Sequence, residues 1–267
     1  LFFKANFSKK KKDKKDINKI ETWMFREKNE SFFLLVSIII VIILALLIAE
    51  INLYILLVGL IIGIFYITLQ QAQLIGNSLE INEAQFSEIF SIFQEQKLRL
   101  NINKVRLYVI QDPKPNAFTI GVFSASIILT SSLMENFTLE ELKFTIAHEL
   151  GHVKANHNII LSFISPLGTN VIGSSLIFSF WRRKAEYSCD KCGLILTKRL
   201  DHAITSLLKL SIGLNLAKKI NLENYKKQLI ESKSGIVSVS EFLFDHPLTT
   251  NRINRLVRFW KKNFVYQ

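Results

Sequence analysis

The sequence predicts a mainly helical domain with a small sheet, entered through two long apolar helices. Three observations predict it. Residues 31–69 are uncharged and rich in Ile and Leu, apart from Glu50. Three short alternating or turn-bounded segments fall between residues 105 and 130, as strands do. From residue 138 onward helical spacing dominates, with charged and apolar residues recurring at three and four positions.

Taken in order, residues 1–30 form a basic segment with ten Lys/Arg against five acids. The apolar zone that follows spans about 39 residues, roughly 58 Å as one helix. A bilayer core is only about 30 Å thick, so residues 31–70 should cross twice, turning near Glu50-Ile51-Asn52. Lysine-rich flanks stay on the cytoplasmic side, and a hairpin returns the chain to it. The following domain, residues 80–267, should therefore face the cytosol, or the matrix or stroma of an organelle. A cleavable signal peptide fits poorly, because the apolar part is too long and a second span follows at once. The chain begins at Leu1 and reads as a fragment or a processed form.

Ile81 to Leu100 reads as a linking helix and Val105 to Ile110 as a strand. Asp112-Pro113-Lys114-Pro115-Asn116 is turn chemistry, with strands expected near 117–121 and 126–130. Thr138 with Glu141 three residues later makes a capping box, so a helix should start there and run to about Asn156. Further helical patterns cover 182–198, 203–210 and 250–261, with a Ser/Gly/Val loop or short strand at 232–240. No internal repeats are visible.

The chemistry concentrates in His148-Glu149-Leu150-Gly151-His152. Residues four apart share a helical face, so His148 and His152 can offer ring nitrogens to one zinc ion per chain. Glu149, offset by one, can serve as general base toward water activated there. A third histidine at the extended-motif position is excluded, since Ala155 and Asn158 occupy the required places. His157 sits one residue early and reads as solvent-facing or interfacial. The other source of a third ligand is a second helix. Glu186 and Asp190 lie four apart on one face, so Glu186 can complete the set. Asp190 can then accept the second ring N–H of a ligating histidine, His148 first of all. The competing reading makes both acids surface charges paired with Lys191 or Arg183.

With Glu186-Tyr187-Ser188-Cys189-Asp190-Lys191-Cys192-Gly193, and His246-Pro247 followed by Arg252, the motif set resembles HtpX-like integral membrane zinc metalloproteases. These are relatives of the CAAX prenyl proteases and of mitochondrial inner-membrane quality-control proteases. The resemblance covers about residues 105–256. It implies an α+β, gluzincin-type metalloprotease domain and zinc-dependent endoproteolysis of polypeptides, membrane proteins above all, in a quality-control role. It also implies that Asn116-Ala117-Phe118 leads into a strand whose main chain pairs with an extended substrate. His246 should approach the zinc, either stabilising the oxyanion or acting as a reversible fourth ligand. Arg252 should orient it or bind substrate carbonyls. Prenyl-protein processing ranks second, because only two confident spans are present. A membrane-anchored scaffold with a non-catalytic zinc site ranks behind both.

Zinc geometry also constrains the uncharged stretch Ala155 to Trp181. One ion must touch both His152 and Glu186, so this stretch cannot cross the bilayer once. It should double back near Pro166 to Asn170 as a hairpin at 155–181, with arms too short to span. Cys189 and Cys192 read as reduced, partly buried residues. The net charge of +12 does not point to nucleic acid, because no such module is present. Basic residues instead flank the apolar zone, where they suit anionic lipid headgroups. The sequence leaves the oligomeric state open.

Overall fold

A computed structural model describes residues 19–122, 124–164, 174–217, 219–220 and 247–265. After a short 3-10 turn at Thr22–Met24, the long element α1 runs Glu30–Gly76. It is followed by β1 (Leu79–Glu80), α2 (Ser87–Arg99), β2 (Val105–Ile110), β3 (Ala117–Ile120) and β4 (Ala125–Thr130). Then come α3 (Ser131–Asn136), α4 (Leu139–Lys154), α5 (His157–Ile164), α6 (Ser174–Thr197), α7 (Leu200–Ile212) and α8 (Leu214–Ala217). The helix α9 (Thr249–Trp260) runs on into a π-helical turn at Lys261–Val265. The fold is mainly helical with a small mixed sheet, the α+β class expected.

Where two apolar helices were expected, there is one element broken at Asn52, whose φ −163° and ψ 105° are extended. The Asn52 side chain accepts a hydrogen bond from Ile55 N, so it caps the second half as an N-cap asparagine does. Both ends of α1 pack on the same domain. Phe33 and Leu34 join a cluster with Phe178 and Trp181, while Leu74 and Ile75 join one with Tyr108, Ile120 and Ile128. These sites are neighbours, because Asn158 bonds to Gly121 and His157 to Glu30. A straight helix of this length would hold its ends roughly 70 Å apart, so the chain folds back at Asn52. Its outward side chains are apolar and bare, Ile51 being 84% exposed. Among the described residues, α1 is the one helix long and apolar enough to cross a membrane.

The sheet has the order β1-β2-β4-β3, with β2 and β4 parallel and the outer pairs antiparallel. Alternation assigns its two faces. Leu107, Ile127 and Leu129 face a core built with Leu142, Ile146 and Leu150 of α4. Tyr108, Ile120 and Ile128 face the end of α1. β4 is buried along its length, and among the described residues β3 has no strand on its outer side.

The capping box at α4 forms in both directions, Thr138 Oγ1 accepting from Glu141 N and Glu141 Oε2 from Thr138 N. The helix ends sooner than the pattern suggested. Asn156 adopts left-handed φ 61°, which asparagine tolerates, and α5 starts at the next residue. α6 begins earlier than residue 182, so the second apolar arm and the segment bearing Glu186 are one helix. α2 begins at Ser87 rather than 81, because the chain first forms β1 and an Asn82–Gln85 bridge. The expected reversal at Pro166–Asn170 and the loop at 232–240 lie outside the described residues.

α4 and α6 pack through glycine. A Cβ on Gly151 would stand 3.0 Å from Cys192 Cβ, and one on Gly193 would stand 2.8 Å from the Phe144 ring. Each helix thus presents a glycine to a bulkier residue of the other. That close approach sets Glu186 against the two histidines.

Candidate metal centre and cleft

His148 and His152 project from one face of α4, and Glu186 meets them from α6. Nε2 of His148 and Nε2 of His152 lie 3.3 Å apart. Each is 3.6 Å from a Glu186 carboxylate oxygen, on Oε2 and Oε1 respectively. Ligands on a tetrahedral zinc at about 2.0–2.1 Å stand roughly 3.4 Å from one another. The two nitrogens face different Glu186 oxygens, and one ligand atom from each of the three residues lies within 4.8 Å of the others, so the set could hold one such ion and leave a fourth position open.

The supports are arranged behind this set. His148 Nδ1 lies 3.1 Å from Asp190 Oδ1. Asp190 is in turn gripped by Arg252, Nε to Oδ2 at 2.8 Å and Nη2 to Oδ1 at 2.6 Å. Arg252 Nη1 also reaches Glu186 Oε2 at 3.2 Å. Arg252 ties together two carboxylates of α6 and also lines the cleft. Burial opposes the charge on Asp190, but the Arg252 guanidinium and the His148 ring hold its carboxyl below the usual range. Burial likewise opposes a charge on His152, yet the Glu186 carboxylate raises its pKa overall.

Glu149 is steadied by a residue the sequence reading passed over. The Thr119 hydroxyl donates to Glu149 Oε2 at 2.7 Å, fixing the carboxylate beside the cleft. Thr119 lies two residues after Ala117 on the same strand, so period-two alternation puts both on one face; that signal was available.

A cleft of about 450 Å³ opens over the centre. Its lining includes Asn116 and Ala117 on one wall, Leu207 and Leu210 on another, and His148, Glu149 and Glu186 at its floor. The Phe118 side chain turns to the opposite sheet face and packs near Tyr108 and Ile128. Only its main chain is placed to serve the outer edge. His246 lies outside the described residues, although the adjoining Pro247 lines the cleft.

His157 is not solvent-facing; it is 2% exposed. The left-handed turn at Asn156 swings it back, so Nδ1 stands 3.2 Å from His152 Nδ1 and Nε2 stands 3.0 Å from Glu30 Oε1. The two cysteines are fully buried and unpaired with each other. Burial raises the Cys189 thiol well above its ordinary pKa.

The model of peptidase family M48 matches residues 83–172 and 165–259, together most of the chain. The chain belongs to peptidase family M48. It is 30% identical over 171 residues to the plastoglobule-localized metallopeptidase 48 of the Arabidopsis thaliana chloroplast, covering 58% of this chain and 49% of that one. A Protease HtpX homolog of Bifidobacterium longum is 25% identical over 222 residues, covering 67% and 72%. Other HtpX homologs match over about a third of their length, 37% for that of Pediococcus pentosaceus. The chain thus spans half or less of several relatives it matches. The crystal structure of S. mikatae Ste24p superposes with a TM-score of 0.52 at 18% identity, covering 88% of this chain and 66% of that one, which shows a shared fold.

Proposed function

We propose that the chain is a membrane-anchored zinc endopeptidase. His148, His152 and Glu186 hold the metal, and Glu149 is the general base. The observation that carries this is the convergence of one ligand atom each from His148, His152 and Glu186, all within 4.8 Å of one another, next to a carboxylate fixed by Thr119. Zinc bound there supplies Lewis acidity and makes water a nucleophile at neutral pH. Glu149 takes a proton from the attacking water and returns it to the leaving amide nitrogen. Thr119 keeps that carboxylate aimed, and Asp190 keeps the His148 ring in the tautomer that leaves Nε2 free. The edge of β3 that carries no strand among the described residues offers main-chain donors and acceptors to an extended polypeptide, with Asn116 and Ala117 at the mouth. His246 would add an N–H donor for the developing oxyanion.

The bare apolar surface of α1 and its return at Asn52 support two membrane crossings. The lysines of residues 1–30 put the N-terminus and the catalytic domain on the cytosolic, matrix or stromal side. Membrane proteins are the natural substrate class for a site anchored there, and their quality control the natural role.

Glu149→Gln in the full-length protein tests the chemistry. Purified in detergent, the variant should keep about one zinc per chain. It should also lose about 10²–10⁴-fold of its cleavage of a denatured protein. Undiminished cleavage would remove Glu149 from the mechanism, and wild-type protein without bound zinc would remove the metal.

A further inference from the structure

We propose that Glu30 and His157 form a positioning relay for the ligand His152, which makes the foot of the apolar helix α1 a structural part of the metal centre. The inference rests on the zinc reading above. A ring nitrogen that faces a metal must present its lone pair, so His152 bound through Nε2 carries its proton on Nδ1. That proton points at His157 Nδ1, 3.2 Å away. His157 must accept there, so its own proton sits on Nε2, and this N–H meets Glu30 Oε1 at 3.0 Å. No other placement of protons satisfies both contacts. The two imidazoles of the centre therefore each end on a carboxylate, His148 directly on Asp190 and His152 through His157 on Glu30.

The carboxylate at the far end is itself held. Arg26 Nε stands 2.9 Å from Glu30 Oε1, and the Ser188 hydroxyl of α6 bonds to Glu30 Oε2. Glu30, His157 and Ser188 are all at most 2% exposed, and the Trp181 ring stands perpendicular to that of His157, 5.6 Å between centroids. Farther along α1, the Ser37 hydroxyl donates to Ile177 O, docking the next turns onto α6. Glu30 stands 127 positions from His157 in the chain. A domain cut free of α1 keeps all three ligands but loses the group that fixes the ring of one of them.

Partners of this kind typically change metal affinity by about 10–100-fold. The test uses the full chain in detergent, with the zinc dissociation constant read by chelator competition for wild type, His157→Phe, Glu30→Gln and the double variant. Thermal unfolding of the metal-free proteins reports on folding separately. The expected result is weaker zinc binding in both single variants, by about 10–100-fold for His157→Phe. Glu30→Gln keeps the shape and should weaken binding less. The double variant should be no worse than His157→Phe alone, because the two groups act in series. In steady-state cleavage, kcat should fall while KM holds. Unchanged zinc affinity in a folded Glu30→Gln and His157→Phe overturns the relay. So does simple additivity in the double variant. A second zinc per wild-type chain, bound by His152, His157 and Cys189 and lost in His157→Phe, also overturns it. Wild-type protein that binds no zinc defeats the metal reading first, and the relay falls with it.

Discussion

Asp190 shows what one buried carboxylate does at the residue scale. It fixes the His148 tautomer and neutralises Arg252 at the same time. Removing one partner of a buried ion pair leaves the other charge unsolvated, at a cost of about 3–5 kcal/mol. Asp190→Ala should therefore lower unfolding stability by that order in urea titrations of the metal-free protein. It should also weaken zinc binding about 10–100-fold in a chelator competition. Equal affinity and stability in the variant would reduce Asp190 to a bystander. The shared faces of His148 and His152, and of Glu186 and Asp190, were legible in the sequence, because positions four apart have fixed relations on any helix. His157 was not legible. Helical spacing continued past Lys154 puts it off the metal face, and only the left-handed turn at Asn156 brings it back.

At the scale of elements, the metal site depends on how closely α4 and α6 approach. Gly151 sits against Cys189 and Cys192, so a branched side chain there must push the helices apart. Gly151→Val should cost about 1–3 kcal/mol by overpacking and reduce zinc occupancy with it, measured by metal analysis of the folded protein. Full occupancy at wild-type stability would show that the interface has room to spare. The start of α4 carries a second dependence. Glu141 closes the capping box and also pairs with Lys209 of α7 at 2.6 Å. Burial opposes its charge, but Lys209 and the Thr138 amide keep its pKa below the ordinary carboxylate value. A depressed folded pKa stabilises the fold above the unfolded value, about pH 4.5, and the contribution disappears as pH falls through the folded value. Acid unfolding should thus be less steep in Glu141→Gln below about pH 4.5, and the variant should be less stable at pH 7. An unaltered acid limb would mean that Glu141 has the same pKa folded and unfolded, so that Lys209 and the Thr138 amide do not depress it. The capping box could be read from Thr138 and Glu141 alone, whereas the Lys209 contact could not, since it joins residues 68 apart.

For the whole molecule, the question is how α1 sits in a bilayer. If the two halves cross in opposite directions, Asn52 emerges on the face away from the catalytic domain. In sealed vesicles, Asn52→Cys should react with an impermeant thiol reagent from that face, while a cysteine placed in residues 1–18 should react from the other. Native Cys189 and Cys192 are buried and should stay silent in folded protein. Labelling of both positions from one side would exclude a double crossing. The apolar length and the flanking lysines were visible in the sequence. That the foot of α1 carries a carboxylate, Glu30, bonded to His157 was not.

Local rules and composition were enough to determine the shared faces of the candidate ligands and base, the capped helix, the strand region and the long apolar zone. Each of these rests on spacings of a few residues or on stretches of uniform polarity. The tertiary structure alone decided the partners behind the ligands: Thr119 for Glu149, Arg252 for the α6 carboxylates, and His157 with Glu30 for His152. Those contacts join distant segments through the close approach of α4 to α6 and the docking of α1. No periodicity encodes such meetings, because they depend on which faces find each other when the apolar surfaces pack.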